Sequence, residues 1–374
     1  MKILIAGDYC PQKRVTGLLE RDAYSSVFGN VQSVIKDADY SIVNLECPIT
    51  KGSEEPIVKC GPNLQCPEKG IEALKWAGIR GVTLANNHFL DFGEDGVENT
   101  LSACRKYGID VVGGGRNLQE ASEVLYKEIS GCTLAIINCC EHEFSIATET
   151  AAGSNPLNPI QQYYAIQVAR KHADFVLVIV HGGHEHFQLP SPRMQETYRF
   201  FIDVGADAVI NHHQHCYSGY EVYKGNPIFY GLGNFCFDSG GDNDKKWNEG
   251  MMVLLHLDKG KVSFNLIPYF QCGIKAGIEL LGEERQKDFL ASINRLNQII
   301  NSPKVLSEKY DEYLNNQTVN HIFEPYTNRY LLALYKRHLL PSFVPKSKKT
   351  VLLAYLQCES HVVKILNGLK KEQI

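Results

Sequence analysis

The chain has 374 residues, 44% hydrophobic and 21% charged, the balance of a soluble globular protein. A formal net charge of −4 gives no signal for nucleic acid, so no such partner is expected. That length can bury one large core or divide into a main domain and an appendage.

The opening MKILIAGDYC is apolar for only a strand's length before Asp8. That is short of a signal peptide or a membrane span of ~20 residues, and the expected location is cytoplasmic. KILIAG at 2–7 reads as a buried strand, followed by a helical stretch near 17–36. YSIVNL at 40–45 is a second strand. A helix near 67–77 leads into GVTLA at 81–85, and one near 94–107 leads into IDVVGG at 109–114. Strands near 123–129 and 132–139 form a hairpin about Gly131. The twelve cysteines include no C-x-x-C pair, and Cys139 and Cys140 point to opposite faces of their strand, so reduced core thiols are expected. A helix near 157–172 precedes FVLVIVHGG at 175–183, and one near 191–205 precedes ADAVIN at 206–211. From 217 to 270 the pattern is short strands and turns, such as YKGNP at 223–227. This order predicts an α/β sandwich with mixed sheets, in which ligands sit beyond the carboxyl ends of strands.

After about residue 273 the composition shifts. Segments near 282–301, 303–316, 326–340 and 348–370 read as helices, broken at Pro303, Pro325, Pro341 and Pro345. The expected division is therefore a main domain over 1–272 and a helical extension over 273–374. Residues 325–374 hold nine Lys and Arg against two Asp and Glu. That fits a solvated basic face, or a docking surface for an acidic partner or membrane headgroups.

Chemistry-bearing residues collect at strand exits. Asp8 follows the first strand and Glu46 the second; LANNHFLDFG adds Asn86, Asn87, His88 and Asp91 after the third. Six of the thirteen histidines fall in HGGHEH (181–186) and NHHQH (211–215), each after a buried strand. Charges converging on a dry site are costly, and divalent cations with carboxylate and imidazole ligands resolve that cost. If locally extended, H-x-H at 213–215 sends both rings one way. Two carboxylates, an amide oxygen and three imidazoles suit two metals sharing a carboxylate. Mixed oxygen and nitrogen ligation fits Mn, Fe, Zn or Co. His184, His186 and His212 are weaker candidates.

The blocks DADYSIVNLECPIT, LANNHFLDFGEDGVENTL, HGGHE and GADAVINHHQHCYSGYEVYKGNPIFYGLGNFCFD resemble those of the CapA family, in order over about residues 2–270. These are bacterial capsule and poly-γ-glutamate biosynthesis proteins on a calcineurin-like metallophosphatase fold. The resemblance implies a four-layer αββα sandwich of two mixed sheets, followed here by a C-terminal helical appendage that it does not cover. By position it makes Asp8 and His215 ligands of the first metal, Glu46 the bridging carboxylate, and Asn87, His181 and His213 ligands of the second. His88 takes the place of the imidazole that assists the leaving group, with Asp91 orienting it; Asn87, His88 and Glu185 are the candidate substrate contacts. Cys10 stands where D-x-H is common and is a soft ligand or a packed thiol. Asn211 and Gln214 depart from a Gly-His-His-Pro-His run, which bears on substrate access, and Gly182 replaces a frequent aromatic.

The implied activity is metal-dependent hydrolysis of a phosphate ester, on a small molecule or a polymer, linked to capsule or extracellular polymer synthesis. Two other readings stay open: an accessory subunit docking a polymer-synthesis enzyme through the basic helices, and hydrolysis of γ-linked amides in an anionic polymer.

Overall fold

In β1 (Lys2–Cys10) successive side chains serve different cores, Ile3 and Ile5 on one side, Leu4 and Ala6 on the other. That alternation makes β1 a strand buried on both faces, as a central strand of a sandwich must be. The computed structural model describes all residues except 242–244, 324–326, 338, 342–344 and 373–374, so the expected break at Pro325 lies outside the described residues.

The remaining strands of the first half are β2 (Tyr40–Leu45), β3 (Gly81–Thr83), β4 (Asp110–Val112), β5 (Gly114–Gly115), β6 (Leu125–Ile129), β7 (Cys132–Cys140) and β8 (Gly153–Ser154). Then come β9 (Phe175–His181), β10 (Ala208–His212), β11 (Tyr220–Tyr223), β12 (Asn226–Phe229) and β13 (Asn234–Phe237), and finally β14 (Glu249–Asp258), β15 (Lys261–Gln271) and β16 (Ile278–Leu280). One sheet runs β16-β15-β14-β1-β2-β3-β4, with β13 pairing the end of β1. The other runs β11-β12-β10-β9-β7-β6. Both are mixed: β1 to β4 are parallel while β14 is antiparallel to β1, and β6 and β11 are antiparallel edges on a parallel centre. The sheets face each other through one apolar cluster, in which Ile3 and Ile5 meet Ile136, Leu177, Ile179 and Ile210.

The helices are α1 (Arg14–Glu20), α2 (Tyr24–Phe28), α3 (Val31–Asp37), α4 (Lys69–Ala77), α5 (Gly93–Tyr107), α6 (Leu118–Ala121), α7 (Pro159–His172), α8 (Pro192–Asp203) and α9 (Lys245–Asn248). After them come α10 (Glu283–Ile300), α11 (Pro303–Phe323), α12 (Arg329–Lys336), α13 (Lys346–Gln357) and α14 (Glu359–Glu372). Helices α1 to α5 cover the outer face of the first sheet through Leu19, Phe28, Ile35, Leu74 and Val97. Helices α7 and α8 cover the second through Ile166, Tyr198 and Phe201. The result is the four-layer αββα sandwich.

Three local readings differ from expectation. The single helical stretch near 17–36 is three short helices, because Asp22 (φ 56°) and Gly29 (φ 44°) take left-handed backbone that no helix contains. The segment near 348–370 divides at Cys358, whose φ and ψ are extended. The last strands before 270 are long: β14 has ten residues and β15 eleven.

Two compact units emerge, Met1–Ser307 and Glu308–Ile374. Elements β16 and α10, beyond residue 272, belong to the first. Phe289 and Ile293 of α10 enter the inter-sheet cluster and Ile300 the outer one. The second unit holds α12, α13 and α14, with Leu353, Leu356 and Leu366 exposed. Among the described residues no helix is long and apolar enough to cross a membrane.

Candidate metal centre

Strands of both sheets deliver polar residues to one place. Strand β1 runs on past Asp8 to Cys10, because β13 pairs with its last residues, and its register shifts around Asp8. Such a bulge re-aims a side chain. Gly7 permits the approach: a Cβ there would lie 1.9 Å from the Gly233 carbonyl oxygen, whose partner is the Asp8 amide at 3.2 Å. Glu46 follows the last residue of β2. After β3, Asn86 shapes the turn by accepting from the His88 amide (3.1 Å) and donating to the Leu45 carbonyl (2.8 Å). His181 ends β9 and His212 ends β10, paired in register. The next segment is not extended as expected: His213 (φ 90°) and His215 (φ 54°) have left-handed backbone, and this coil turns both rings inward.

Two buried groups of ligand atoms result, Glu46–His181–His213 and Asp8–Glu46–His215, with Glu46 common to both. His181 Nε2 lies 3.0 Å from His213 Nδ1, 3.1 Å from Asn87 Oδ1 and 3.5 Å from Glu46 Oε1. His215 Nε2 is 3.6 Å from Glu46 Oε1, and its Nδ1 is 3.8 Å from Asp8 Oδ2. Two ligands each about 2.1 Å from one tetrahedral ion stand roughly 3.4 Å apart. One ring proton on His181 Nε2 could satisfy only one of its three neighbours, whereas a cation satisfies all. Both oxygens of Glu46 are buried and accept no hydrogen bond. The donor set and this orphaned carboxylate fit a pair of divalent cations.

The electrostatics agree. Burial, with the Asp8 charge beside it, pushes the Glu46 carboxyl well above its usual range. Burial also raises Asp8, but contacts with His212, His215 and Asn44 outweigh it and hold the group below the usual range. Burial and the neighbouring ring charges keep His181 and His213 below the usual imidazole value, in the neutral form that ligates metals.

His88 and Asp91 stand beside this centre. Asp91 Oδ2 is 2.7 Å from His88 Nδ1 and accepts from the Leu64 amide at 2.6 Å. Glu185 is exposed on the turn after β9, near enough for its charge to act on Glu46 and His213. His212 is buried with Nδ1 3.3 Å from Asp8 Oδ1 but belongs to neither ligand group. His186 lies outside both groups too, its ring 6.0 Å from that of Trp247. Cys10 belongs to neither ligand group; it is buried in the first sheet's outer core, next to Cys47. Asn211 and Gln214 are buried in the histidine turn. Asn211 donates to the carbonyls of Gly182, His212 and Tyr230, and Gln214 to that of Leu189.

Two residues escape sequence reasoning. Asn44 donates to Asp8 Oδ1 at 2.8 Å and sits 3.2 Å from His181 Nδ1, so it orients a ligand from each sheet. Its signal was an amide inside an otherwise buried strand. Lys59 bonds to Asp91 and lies 3.0 Å from His88 Nδ1. A lone Lys in a Gly- and Pro-bearing loop carries no sequence signal.

A family model described as "Bacterial capsule synthesis protein PGA_cap" matches residues 2–239. "Capsule biosynthesis protein CapA" of Bacillus anthracis is 31% identical over 277 residues, covering 72% of this chain and 67% of its own. A Mycobacterium tuberculosis protein named "Probable polyglutamine synthesis accessory protein" is 27% identical over 245 residues, covering 62% and 64%. The crystal structure of a 5'-nucleotidase precursor from Thermus thermophilus superposes with a TM-score of 0.43 at 12% identity, covering 81% of this chain and 60% of that one.

Proposed function

Because the chain belongs to the bacterial capsule synthesis protein family, we propose that it is a dinuclear, metal-dependent phosphoesterase-like hydrolase serving synthesis of a capsule or another extracellular polymer. The observation that carries this reading is the shared, unpartnered Glu46 carboxylate between two ligand triads. Asp8, Glu46 and His215 would hold one cation, and Glu46, Asn87, His181 and His213 the other. Mn, Fe, Zn or Co suits these donors. When bound, such a pair supplies an acidified water and neutralises charge on a phosphoryl group.

The chain's own residues do the rest. Asn44 keeps Asp8 and His181 in place. Asn87 and His88 contact phosphoryl oxygens of the substrate, and Glu185 lines the approach. His88 gives a proton to the departing alkoxide, held by Asp91 through Nδ1. Metal analysis of the purified protein should find about two ions per chain, and a panel of phosphate mono- and diesters should include a substrate whose turnover a chelator abolishes. A fully loaded protein inert on the whole panel overturns the hydrolase reading; release of amine instead of phosphate identifies a γ-amide hydrolase.

The name of the mycobacterial relative supports a second reading, an accessory subunit of polymer synthesis. A polymer-synthesis enzyme retained by the full chain, and lost with residues 308–374 removed, would favour it.

A further inference from the structure

The segment 51–66 contains no helix and no extended strand, yet it is stitched to one residue of the site. The Asp91 carbonyl accepts from the Ile57 amide (2.9 Å) and from Asn63 Nδ2 (3.0 Å), and the Asp91 carboxylate takes the Leu64 amide. The tip is open to solvent, with Val58 99% exposed. The next side chain turns the other way: that of Lys59 is 1% exposed, its ammonium bonded to Asp91 Oδ1.

A buried ammonium carries donors only, so it can rest there only against an ionised acceptor. Asp91 is that acceptor, and its two oxygens are then divided. Oδ1 serves Lys59, while Oδ2 serves the Leu64 amide and His88 Nδ1. Lys59 Nζ also stands 3.0 Å from His88 Nδ1, closing that side of the ring. We propose that Lys59 is a positioning residue: by occupying Asp91 Oδ1 it fixes the carboxylate plane, so that Oδ2 holds the His88 ring with Nδ1–H turned inward and Nε2 offered to the substrate. Only the kinetic consequence rests on the hydrolase reading; the ring geometry does not.

Nitrogen-15 spectra of the histidine rings in the metal-free full chain test this directly. The wild-type His88 ring should show one tautomer, Nδ1 protonated, with that proton shielded from exchange. In Lys59→Met the ring should populate both tautomers, and Lys59→Arg should restore the single one. An unchanged tautomer in Lys59→Met, or a wild-type ring already averaged, overturns the proposal. Should Lys59→Met fail to fold, Lys59→Gln takes its place, with two tautomers expected and an unchanged single one overturning the proposal. With a substrate in hand, Lys59→Met should lower kcat about 10- to 100-fold, most for poor leaving groups, with KM and metal content within about twofold of wild type. A loss confined to KM or to metal content counts against it. A wild type that turns over no ester overturns the hydrolase reading alone, since the ring spectra still report on Lys59.

Discussion

Glu46 places two carboxylate oxygens where no donor reaches them, and one substitution separates its two effects. Glu46→Gln keeps the shape but removes the charge that both ligand groups share. Metal content of the purified variant should fall below one ion per chain. In chelator the order reverses: the variant should resist urea better than the metal-free wild type, by on the order of 1–3 kcal/mol, because a buried carboxyl whose ionisation the site opposes is gone. Equal metal content in the two proteins would remove the shared-ligand assignment. At this scale the sequence was informative wherever a polar residue stood at a strand exit, since such a residue has no packing role there. Glu46, Asn87, His181, His213 and His215 were legible for that reason, and Asp8 because it interrupts the apolar run of β1 near its end. Asn44 faces the site from within its strand, and Lys59 reaches it from an irregular segment, so periodicity marks neither.

Elements were legible where burial was continuous. Strand β2 has the expected bounds, and β6 and β7 form the expected hairpin. What periodicity missed were backbone events set by distant partners. The end of β1 is extended by β13, more than 220 residues away, and the histidine coil takes its shape from Asn211 and the carbonyls around it. A comparable long-range tie joins α1 to the segment after β15. Arg14 forks onto Asp238 and donates to the carbonyls of Cys272, Gly273 and Ile274. Arg14→Met should cost on the order of 1–3 kcal/mol in urea unfolding, since it strands a buried carboxylate. Burial raises the Asp238 carboxyl, but Arg14 and the Gly240 amide outweigh it and leave it below the usual range. A depressed folded-state value means the contribution is whole above the unfolded value of about 3.9 and is lost as pH falls through the lower folded one. Asp238→Asn should flatten the wild-type stability slope in that acid window; an unaltered slope would discount the ion pair.

For the whole molecule, where the first unit closes is the measurable question. The family match ends at residue 239, yet β14, β15 and α10 complete the sandwich. A chain ending at Ser307 should fold cooperatively and hold as much metal as the full protein. A chain ending at residue 272 leaves out Phe289, Ile293 and Ile300, each worth about 1.5–3 kcal/mol of burial, and should be largely unfolded at room temperature. Circular dichroism melts of the two truncations check this, and a cooperative melt of the shorter chain would refute it. The 1–272 division came from a change of composition, which marks where helices begin and not which of them pack on the sheets.

The central place of β1 also has a consequence in time. On one side it pairs β2, about forty residues on; on the other it pairs β14, with Lys2 opposite His256. A ribosome adding 5–20 residues per second leaves that second edge bare for about 10–50 s. Through that interval a nascent chain shows a hydrophobic ribbon with one side unmatched, open to any other strand it meets. That edge finds its partner only when the final third of the chain has been made.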